Sequence, residues 1–584
     1  MSVDGSSVLV WPLVLGASLA WFLLPGLLGA AALSRRGVVP ETAVALTAVA
    51  LSSALGYAVF WAYLAGPGAG RVASLAGTAA AAVALSRPGA RRLLARTVRS
   101  PAVAVPLGLL FVVALFYNAI LFAHASSTPV ELRARTHLMR NDGLPIDNDL
   151  PRLLAARLAE GRDPRPIYPE WQSSDRPPLQ TGAVLLQRPF ASALGMEALH
   201  YQLLATALQC SWVAAVWGLG AAFRFRPAGT ALALAAATFS GFFFVNSLYV
   251  WPKLYAGALA LLALVLLVGR RPSPATAAVA ALGAALGLLA HAGVVFTLVP
   301  VAAFVVARRT RPPLVPALAG AAVVVVLMAP WWAYTRFYDP PGDRLTKRHL
   351  AGVLQADGRP LSAALADAYS RSEPSELVRN KWENLDALVE APPGWRELRH
   401  GGAERVRAGE FFVLNWALGP LNLAWPLLAA GLARHRRMWA RRHWRGAVAV
   451  LGVGAGAVLF WALAMFGPGT TQVHHGSYAT MILLWAGLAG VTASWSGRAA
   501  AALAAVHVAW FAAVWAAAMP VSDRPVGVAD AVLAVVAGAA VLAALWRVGT
   551  APPPDGGPDD GAVDDRPAPV EQPRDVEVGA GAAG

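Results

Sequence analysis

Residues 101–123 read PAVAVPLGLLFVVALFYNAILFA, an apolar run with no charged side chain that is followed at once by a polar loop beginning at His124. A helix of this length is long enough to cross a hydrocarbon core of about 30 Å. Backbone groups inside lipid must be satisfied within their own segment, so the run predicts a transmembrane helix. His124 therefore marks the end of a membrane span and the start of a loop outside the membrane.

Similar apolar runs recur along the whole chain, which is 57% hydrophobic and only 14% charged, with a mean hydropathy of +0.52. This composition is typical of an all-α, polytopic membrane protein and excludes a soluble globular one. We predict about fifteen transmembrane helices from the lengths of the runs. Their approximate bounds are 8–34, 41–65, 71–86, 101–123, 197–223, 228–249, 252–268, 274–291, 293–307, 314–336, 411–433, 446–466, 477–495, 498–519 and 526–547.

The formal net charge of +15 comes from arginines that cluster in short loops at alternate turns of the chain. Placing these loops in the cytoplasm satisfies the positive-inside rule. The N-terminus is then extracytoplasmic and the C-terminus cytoplasmic. The basic loops are predicted to contact anionic membrane lipids, and nothing in their pattern indicates a nucleic-acid partner.

Two long polar loops divide the predicted helices into groups. Cys210 is the only cysteine, so disulfides and cysteine-based metal sites are excluded. We predict the following segments: N-terminal transmembrane helices at 1–123, a first extracytoplasmic loop at 124–196, a transmembrane core at 197–336, a second extracytoplasmic loop at 337–410, C-terminal transmembrane helices at 411–548 and a disordered cytoplasmic tail at 549–584.

The first long loop carries the acidic motif Asp147-Asn148-Asp149. Ionisable residues beside a membrane indicate function by default. After the motif, leucines recur at helical spacing, with Pro151 in the first turn and Gly161 at the end, which predicts a short amphipathic helix in the membrane interface. Two plainer roles stay open: Asp149 suits a helix N-cap, and Asp147 suits a solvated loop position.

The same loop ends in Asp175-Arg176-Pro177-Pro178-Leu179. An acidic pair, an interfacial helix and a Pro-Pro-Leu element in this order resemble the first periplasmic loop of the GT-C glycosyltransferases. That superfamily includes the protein mannosyltransferases and the lipid A aminoarabinose transferases. The chain departs from the pattern because Asp175-Arg176 stands where those enzymes often have a histidine, and about four helices precede the loop instead of one.

The resemblance implies an inverting, integral membrane glycosyltransferase. Its donor would be a polyprenyl-phosphate-linked sugar, and its acceptor a glycan, lipid or protein of the cell envelope, at the extracytoplasmic side of a bacterial plasma membrane. Such a transfer needs a base for the acceptor hydroxyl and a cation or metal for the departing phosphate. We assign catalysis to Asp147, as the base, and to Asp149, which assists or holds a divalent cation (Mg²⁺ or Mn²⁺).

Four further residues are candidates for substrate binding: Lys253, Arg140, Arg176 and Asp175. Lys253 interrupts outer turns that are otherwise free of basic residues; it either binds the donor phosphate or snorkels beside an aromatic belt. Arg140 either meets the donor head group or forms an ordinary ion pair within the loop, for which Asp175 is one partner. Arg176 and Asp175 belong to the Pro-Pro-Leu element and are assigned to substrate binding on that ground.

The histidines give weaker signals. His291 ends a helix and either faces the site or is a buried structural histidine. His474 and His475 lie in another outer turn; because adjacent side chains on a helix diverge, they are not a metal pair, and one of them is a candidate contact to donor or acceptor. In the second loop, the spacing of Val378, Trp382, Leu385 and Val389 predicts another amphipathic helix.

An alternative function is a transporter or flippase of lipid-linked glycans. That function predicts polar residues deep within several helices, or unwound segments in mid-membrane. The helices here are rich in Ala, Leu and Val with few ionisable residues at their centres, so we place transport second. A non-catalytic envelope scaffold is a third reading, supported only by the incomplete match to the motif.

Overall fold

The computed structural model of the chain describes residues 10–124, 127–139, 144–169, 171–268, 272–308, 313–355, 357–389, 395–467, 478–517, 519–522 and 525–551. Arg140, His474 and His475 lie outside these ranges, as does almost all of the predicted tail at 549–584. The described residues form α-helices joined by short 3₁₀ and π turns and contain no β-strand, which confirms the all-α class.

The helices are numbered α1 to α27 in chain order. Their bounds are α1 Val10–Arg35, α2 Val44–Ala65, α3 Pro67–Ser86, α4 Pro88–Arg99, α5 Pro101–His124, α6 Val130–His137, α7 Leu150–Ala159, α8 Leu179–Ala193, α9 Glu197–Gln209, α10 Trp212–Ala222, α11 Pro227–Thr238, α12 Gly241–Leu248, α13 Lys253–Leu267, α14 Pro274–Ala290, α15 Val295–Ala307, α16 Leu314–Ala333, α17 Arg344–Ala351, α18 Leu361–Arg371, α19 Pro374–Val389, α20 Trp395–Phe412, α21 Leu414–Leu418, α22 Ala424–Ala433, α23 His435–Ala440, α24 Arg442–Ala464, α25 Tyr478–Trp495, α26 Gly497–Phe511 and α27 Val528–Thr550.

Within the described ranges, 11 helical segments are long and apolar enough to cross a membrane, or 12 if the bent pair α11–α12 is one span. α13, α14 and the segment Ala292–Ala307 are apolar but shorter. Every run predicted from the sequence coincides with one of these segments or with the bent pair. The structure therefore supports a multi-pass membrane protein, and the count of fifteen spans stays a prediction.

The central helix of the bundle is α13. Its residues from Lys253 to Leu266 are all buried, and it packs against α2, α10, α14 and α25. A helix that is apolar on every side is stable only when it is surrounded in this way. Its first residue is Lys253, so the start of this enclosed helix places a cation at the edge of the first long loop.

The first loop reaches further into the helix bundle than its polarity suggests. Its last helix, α8, is mostly buried and packs against α2. The two backbones meet where Gly56 faces Gly182: a Cβ added at Gly182 would overlap the carbonyl group of Gly56. Paired glycines allow this close crossing, and the crossing fixes the position of Arg176 just before α8.

We expect Gly182→Ala to lower the free energy of unfolding by about 1–3 kcal/mol, because the added methyl group forces α2 and α8 apart. The matched control is Gly108→Ala in α5, where a Cβ meets no atom within 4 Å. That change should be neutral or stabilise by up to about 1 kcal/mol, as alanine favours helix. Unfolding in detergent micelles gives both values; equal behaviour of the two variants would contradict the close crossing.

The amphipathic helix predicted in the second loop is present as α19, but its apolar stripe faces outward. Val378 and Trp382 are 71% and 68% exposed. The opposite face is attached to the end of α24, where the Asn384 side chain donates to the carbonyl oxygens of Ala462 (3.0 Å) and Met465 (3.1 Å). An apolar stripe that the described residues leave uncovered suits a helix lying on a membrane surface.

A buried carboxylate lies at the break between α11 and α12, which bend by 60°. Glu410, near the end of α20, is 2% exposed and accepts hydrogen bonds from the indole N–H groups of Trp510 (2.5 Å) and Trp515 (2.7 Å). The N–H of Gly241 also donates to it. All these donors are neutral, so burial dominates and raises the pKa of Glu410 to about 7.

Because the pKa of Glu410 is raised on folding, its contribution to stability is complete below about pH 4.5 and is lost as the pH rises through about 7. We expect the wild type to lose roughly 3 kcal/mol more unfolding free energy between pH 4.5 and pH 8 than Glu410→Gln, which does not titrate. Denaturation series at several pH values measure the difference. Parallel curves for the two proteins would show that Glu410 is not the titrating group.

Candidate functional site

The candidate site lies where the turn between α12 and α13 meets the first loop. This turn, residues 249–252, is buried and contains Tyr249, whose hydroxyl donates to the carbonyl oxygen of Pro145 (2.6 Å). The acidic motif follows Pro145 as a 3₁₀ turn, Ile146–Asn148. The site is therefore built on the turn before the buried helix α13 and on a loop segment bonded directly to that turn.

Asp147 and Arg176 form a buried ion pair across the first loop. Arg176 Nη2 donates to Asp147 Oδ1, and both residues are more than 90% buried. The guanidinium also lies over the ring of Trp171, 4.2 Å from its centroid. Arg176 Nε has no hydrogen-bond partner within the described ranges, although it is buried. The pair thus leaves one buried donor of Arg176 without a hydrogen-bond partner among the described residues.

Lys253 is 6% exposed, and its ammonium group lies against aromatic rings. The Nζ atom is 3.5 Å from the ring centroid of Trp251 and 5.3 Å from that of Tyr478. No hydrogen bond or ion pair to this ammonium exists in the part of the chain that the structure describes. Lys253 interacts electrostatically with Asp147 and Arg176. In the described residues this amine therefore lies against two aromatic rings and has no ion-pair partner.

His291 joins the same cluster from the end of α14. Its Nδ1 accepts the N–H of Gly293 (3.1 Å), so a neutral ring carries its proton on Nε2 and has a donor left there. The ring lies 6.4 Å from that of Trp251, and it interacts electrostatically with Lys253 and Arg176. The ring caps a helical turn and lies beside Trp251, and its predicted contact with substrate stays a prediction.

Asp149 occupies the N-cap position of α7, but its side chain makes no capping hydrogen bond. Both carboxylate oxygens instead accept from Arg152, with Nε–Oδ1 at 2.5 Å and Nη2–Oδ2 at 2.7 Å. The capping reading of this side chain is therefore wrong. α7 itself is formed as predicted, with Pro151 in its first turn and Gly161 in the left-handed region (φ +70°) after it.

A divalent cation does not fit these side chains as they are arranged. Asp147 is paired with Arg176 and Asp149 with Arg152, and no group of three or more His, Cys, Asp or Glu residues in the described ranges is placed to hold a metal ion. The predicted Mg²⁺ or Mn²⁺ stays a prediction, and no step proposed below passes through a metal.

Asp175 faces the second loop and not the acidic motif. It accepts the backbone N–H of Gln172 (2.9 Å) and pairs with Arg344, the first residue of α17 (2.5 Å). Burial raises the pKa of Asp175 above its usual range, against the opposing effect of Arg344. The Arg344 guanidinium also lies 5.7 Å from the ring centroid of Trp171, on which Arg176 stacks.

A second contact between the loops lies beside the first. Asp339 accepts from Ser173 Oγ (2.6 Å) and from the backbone N–H of Ser174 (2.8 Å), and Tyr334 bonds to the same Ser173 hydroxyl (2.5 Å). The sequence analysis missed Asp339 and Arg344. Their position just after the span α16 is a signal that could have found them, since ionisable residues beside a membrane indicate function.

The cluster can bind an anion next to a carboxylate. Arg176 Nε, the Lys253 ammonium and His291 Nε2 supply donors, and Asp147 supplies a proton acceptor. Two further buried atoms, Asn148 Oδ1 and Ser174 Oγ, lack hydrogen-bond partners in the described ranges. Buried polar atoms are rarely left unpaired in proteins, so these atoms point to a ligand or water at this position.

No protein-family model matches this chain, and the searches of characterised proteins and of solved structures likewise gave no match. The resemblance to GT-C glycosyltransferases therefore rests on the motif residues alone. Of the predicted site residues, the structure brings together Asp147, Arg176, Lys253 and His291. It places Asp149 and Asp175 at the edges of this cluster, in ion pairs with Arg152 and Arg344.

We expect Arg344→Ala to weaken the attachment of the second loop by about 3 kcal/mol, because it leaves the Asp175 carboxylate buried without its partner. Faster hydrogen exchange in α17 and α18 reports the loss. The matched control is Arg348→Ala on the same helix, an exposed side chain with no ion pair in the described part of the chain. The assignment of the contact is wrong if both variants exchange at the same rate.

Proposed function

We propose that the protein is a membrane glycosyltransferase that moves a sugar from a polyprenyl-phosphate donor to a hydroxyl of a cell-envelope acceptor. The reaction takes place at the extracytoplasmic side of a bacterial plasma membrane. The observation that carries the proposal is the meeting of Asp147, Arg176 and Lys253, which come from two parts of the first loop and from α13. The surrounding apolar helices suit the lipid part of the donor.

The donor phosphate binds at Lys253, which forms no ion pair within the described ranges. Arg176 Nε and His291 Nε2 supply further donors. Charges act strongly at this position because the side chains are buried and the local dielectric constant is low. These donors therefore stabilise the charge that develops on the phosphate as it leaves, which is the larger part of the catalytic task.

Asp147 takes the proton of the acceptor hydroxyl while the hydroxyl oxygen attacks the anomeric carbon of the sugar. The bond from that carbon to the phosphate oxygen breaks, and the phosphate leaves with the bonding electrons. One displacement of this kind inverts the anomeric configuration, as the resemblance implies. Asp149 assists from the neighbouring position, because its pair with Arg152 fixes the turn that carries Asp147.

A transporter or flippase of lipid-linked glycans is the second candidate, favoured by one observation. α11 and α12 form a span broken by a 60° bend, with the Glu410 carboxylate at the N-terminal end of α12. Broken spans with ionisable groups at half-helix ends are typical of transporters. The break lies at the N-terminal end of α12, whereas Lys253 follows its C-terminal end. Transport and sugar transfer would therefore depend on different residues.

We expect Asp147→Asn to lower sugar transfer by about 10²–10⁴-fold, because the amide no longer accepts the hydroxyl proton. Labelled sugar is followed from a mixed polyprenyl-phosphate-sugar pool in membranes at matched expression. Asp163→Asn is the control, an exposed acid of the same loop paired with Arg165. Lys253→Met should raise the donor concentration needed for half-maximal transfer as well as slow the reaction.

Undiminished transfer by folded Asp147→Asn would remove Asp147 from the site. If no variant or wild type transfers sugar, but reconstituted protein moves labelled lipid-linked glycan across vesicles, the transporter is the correct function. In that case we expect Glu410→Gln to stop the movement while Asp147→Asn leaves it intact.

A further inference from the structure

The turn that leads to Lys253 has a strained backbone. Val250 lies in the left-handed region with φ +51°, and it is fully buried. β-branched residues almost never adopt this conformation, because their side chain crowds the following carbonyl group. Such strain persists only where the surrounding structure imposes it, and it concentrates at functional sites. The question is which group holds this turn.

Gln180, on α8, holds it. Its Nε2 donates to the carbonyl oxygen of Val250 (2.9 Å) and to the hydroxyl of Tyr201 (3.1 Å). Its Oε1 accepts from Gln209 Nε2 (3.1 Å). Tyr201 in turn donates its hydroxyl proton to the carbonyl oxygen of Asn148, inside the acidic motif. One buried amide is therefore bonded to the turn before Lys253 and, through Tyr201, to the residue after Asp147.

We propose that Gln180 is a positioning residue that sets the separation between Asp147 and Lys253 by keeping the Val250 turn in its strained form. Both N–H groups and the oxygen of the amide are used, and Gln180 is 1% exposed. No apolar side chain of the same size can replace three hydrogen bonds in a buried place without leaving their partners unpaired. The turn then relaxes, and Trp251 and Lys253 move with it.

The placement of Lys253 is argued from these hydrogen bonds alone. The effect of that placement on sugar transfer rests on the proposed function. Catalytic groups have to be held in place before the substrate arrives, since small displacements lower the rate strongly. Two measurements are therefore needed: one that reports the surroundings of Lys253 without any reaction, and one that reports transfer.

The chain has only three lysines, Lys253, Lys347 and Lys381, so amine acylation read by mass spectrometry reports Lys253 with two internal references. In the full-length protein in detergent, we expect Gln180→Met to raise the acylation rate at Lys253 by about 5- to 30-fold, the factor that corresponds to losing one or two buried hydrogen bonds. The rates at Lys347 and Lys381 should not change.

The matched control is Gln187→Met, two turns further along α8. Gln187 is equally buried and also bonds to a backbone carbonyl group, that of Ser18 (2.8 Å), but it has no contact with the turn. It should leave Lys253 acylation at the wild-type rate. Tyr201→Phe removes the link to Asn148 and the hydrogen bond from Gln180 Nε2, but it leaves the bond from Gln180 to Val250 in place. It should lower transfer while raising Lys253 acylation less than Gln180→Met does.

The inference is overturned if Gln180→Met leaves Lys253 acylation unchanged, or if Gln187→Met raises it as much. If Gln180→Met does not fold, Gln180→Asn decides in its place: its amide is one methylene too short to reach both acceptors, and the same shift in Lys253 acylation is expected. A wild type without transfer overturns the proposed function alone, since acylation of Lys253 is read without a reaction.

Discussion

Every break in a buried helix exposes N–H and C=O groups that have no water to bond to, and this constraint shapes the whole protein. At three such breaks a polar side chain forms a hydrogen bond with the exposed backbone group. The side chain comes either from another helix or from the break itself. At the α11–α12 bend Glu410 receives the N–H of Gly241, and at the start of the α14–α15 turn His291 accepts that of Gly293. Before α13, Gln180 donates to Val250.

These hydrogen bonds at the helix breaks also account for the location of the candidate site. A helix that begins beside a loop, as α13 does, can carry a charged first residue without placing that charge in the middle of lipid. The side chain that satisfies the break lies next to the charge, so structural and functional polar groups share one small region. His291 illustrates this overlap, since one ring nitrogen closes a turn while the other belongs to the cluster around Lys253.

The sequence was sufficient for the helices and for the charged members of the site, because both stand out against an apolar background. Asp147, Arg176 and Lys253 were each named for being ionisable beside a membrane, and the structure brings them together. Uncharged polar residues gave no such signal. Gln180 lies in a segment predicted as loop, and nothing local indicates that its amide joins two distant turns.

Contacts between distant segments could not be predicted from the sequence, for a different reason. The bond of Asp175 to Arg344 depends on how the second loop lies over the first, and no periodicity encodes that contact. Asp149 shows the limit of local rules: its position favours an N-cap, yet a guanidinium three residues ahead offers two charge-assisted hydrogen bonds and is preferred.

In the proposed sugar transfer, Arg176 and Lys253 have different tasks. Before transfer, a donor phosphodiester carries one negative charge, which the Lys253 ammonium balances, while Arg176 balances Asp147. After transfer the phosphate is a monoester and gains a second charge, as its second pKa is about 6. In the proposed reaction Asp147 becomes neutral at that moment by taking the hydroxyl proton. Arg176 is then released to meet the new charge, so in the proposed reaction the charges of the cluster sum to the same value before and after transfer.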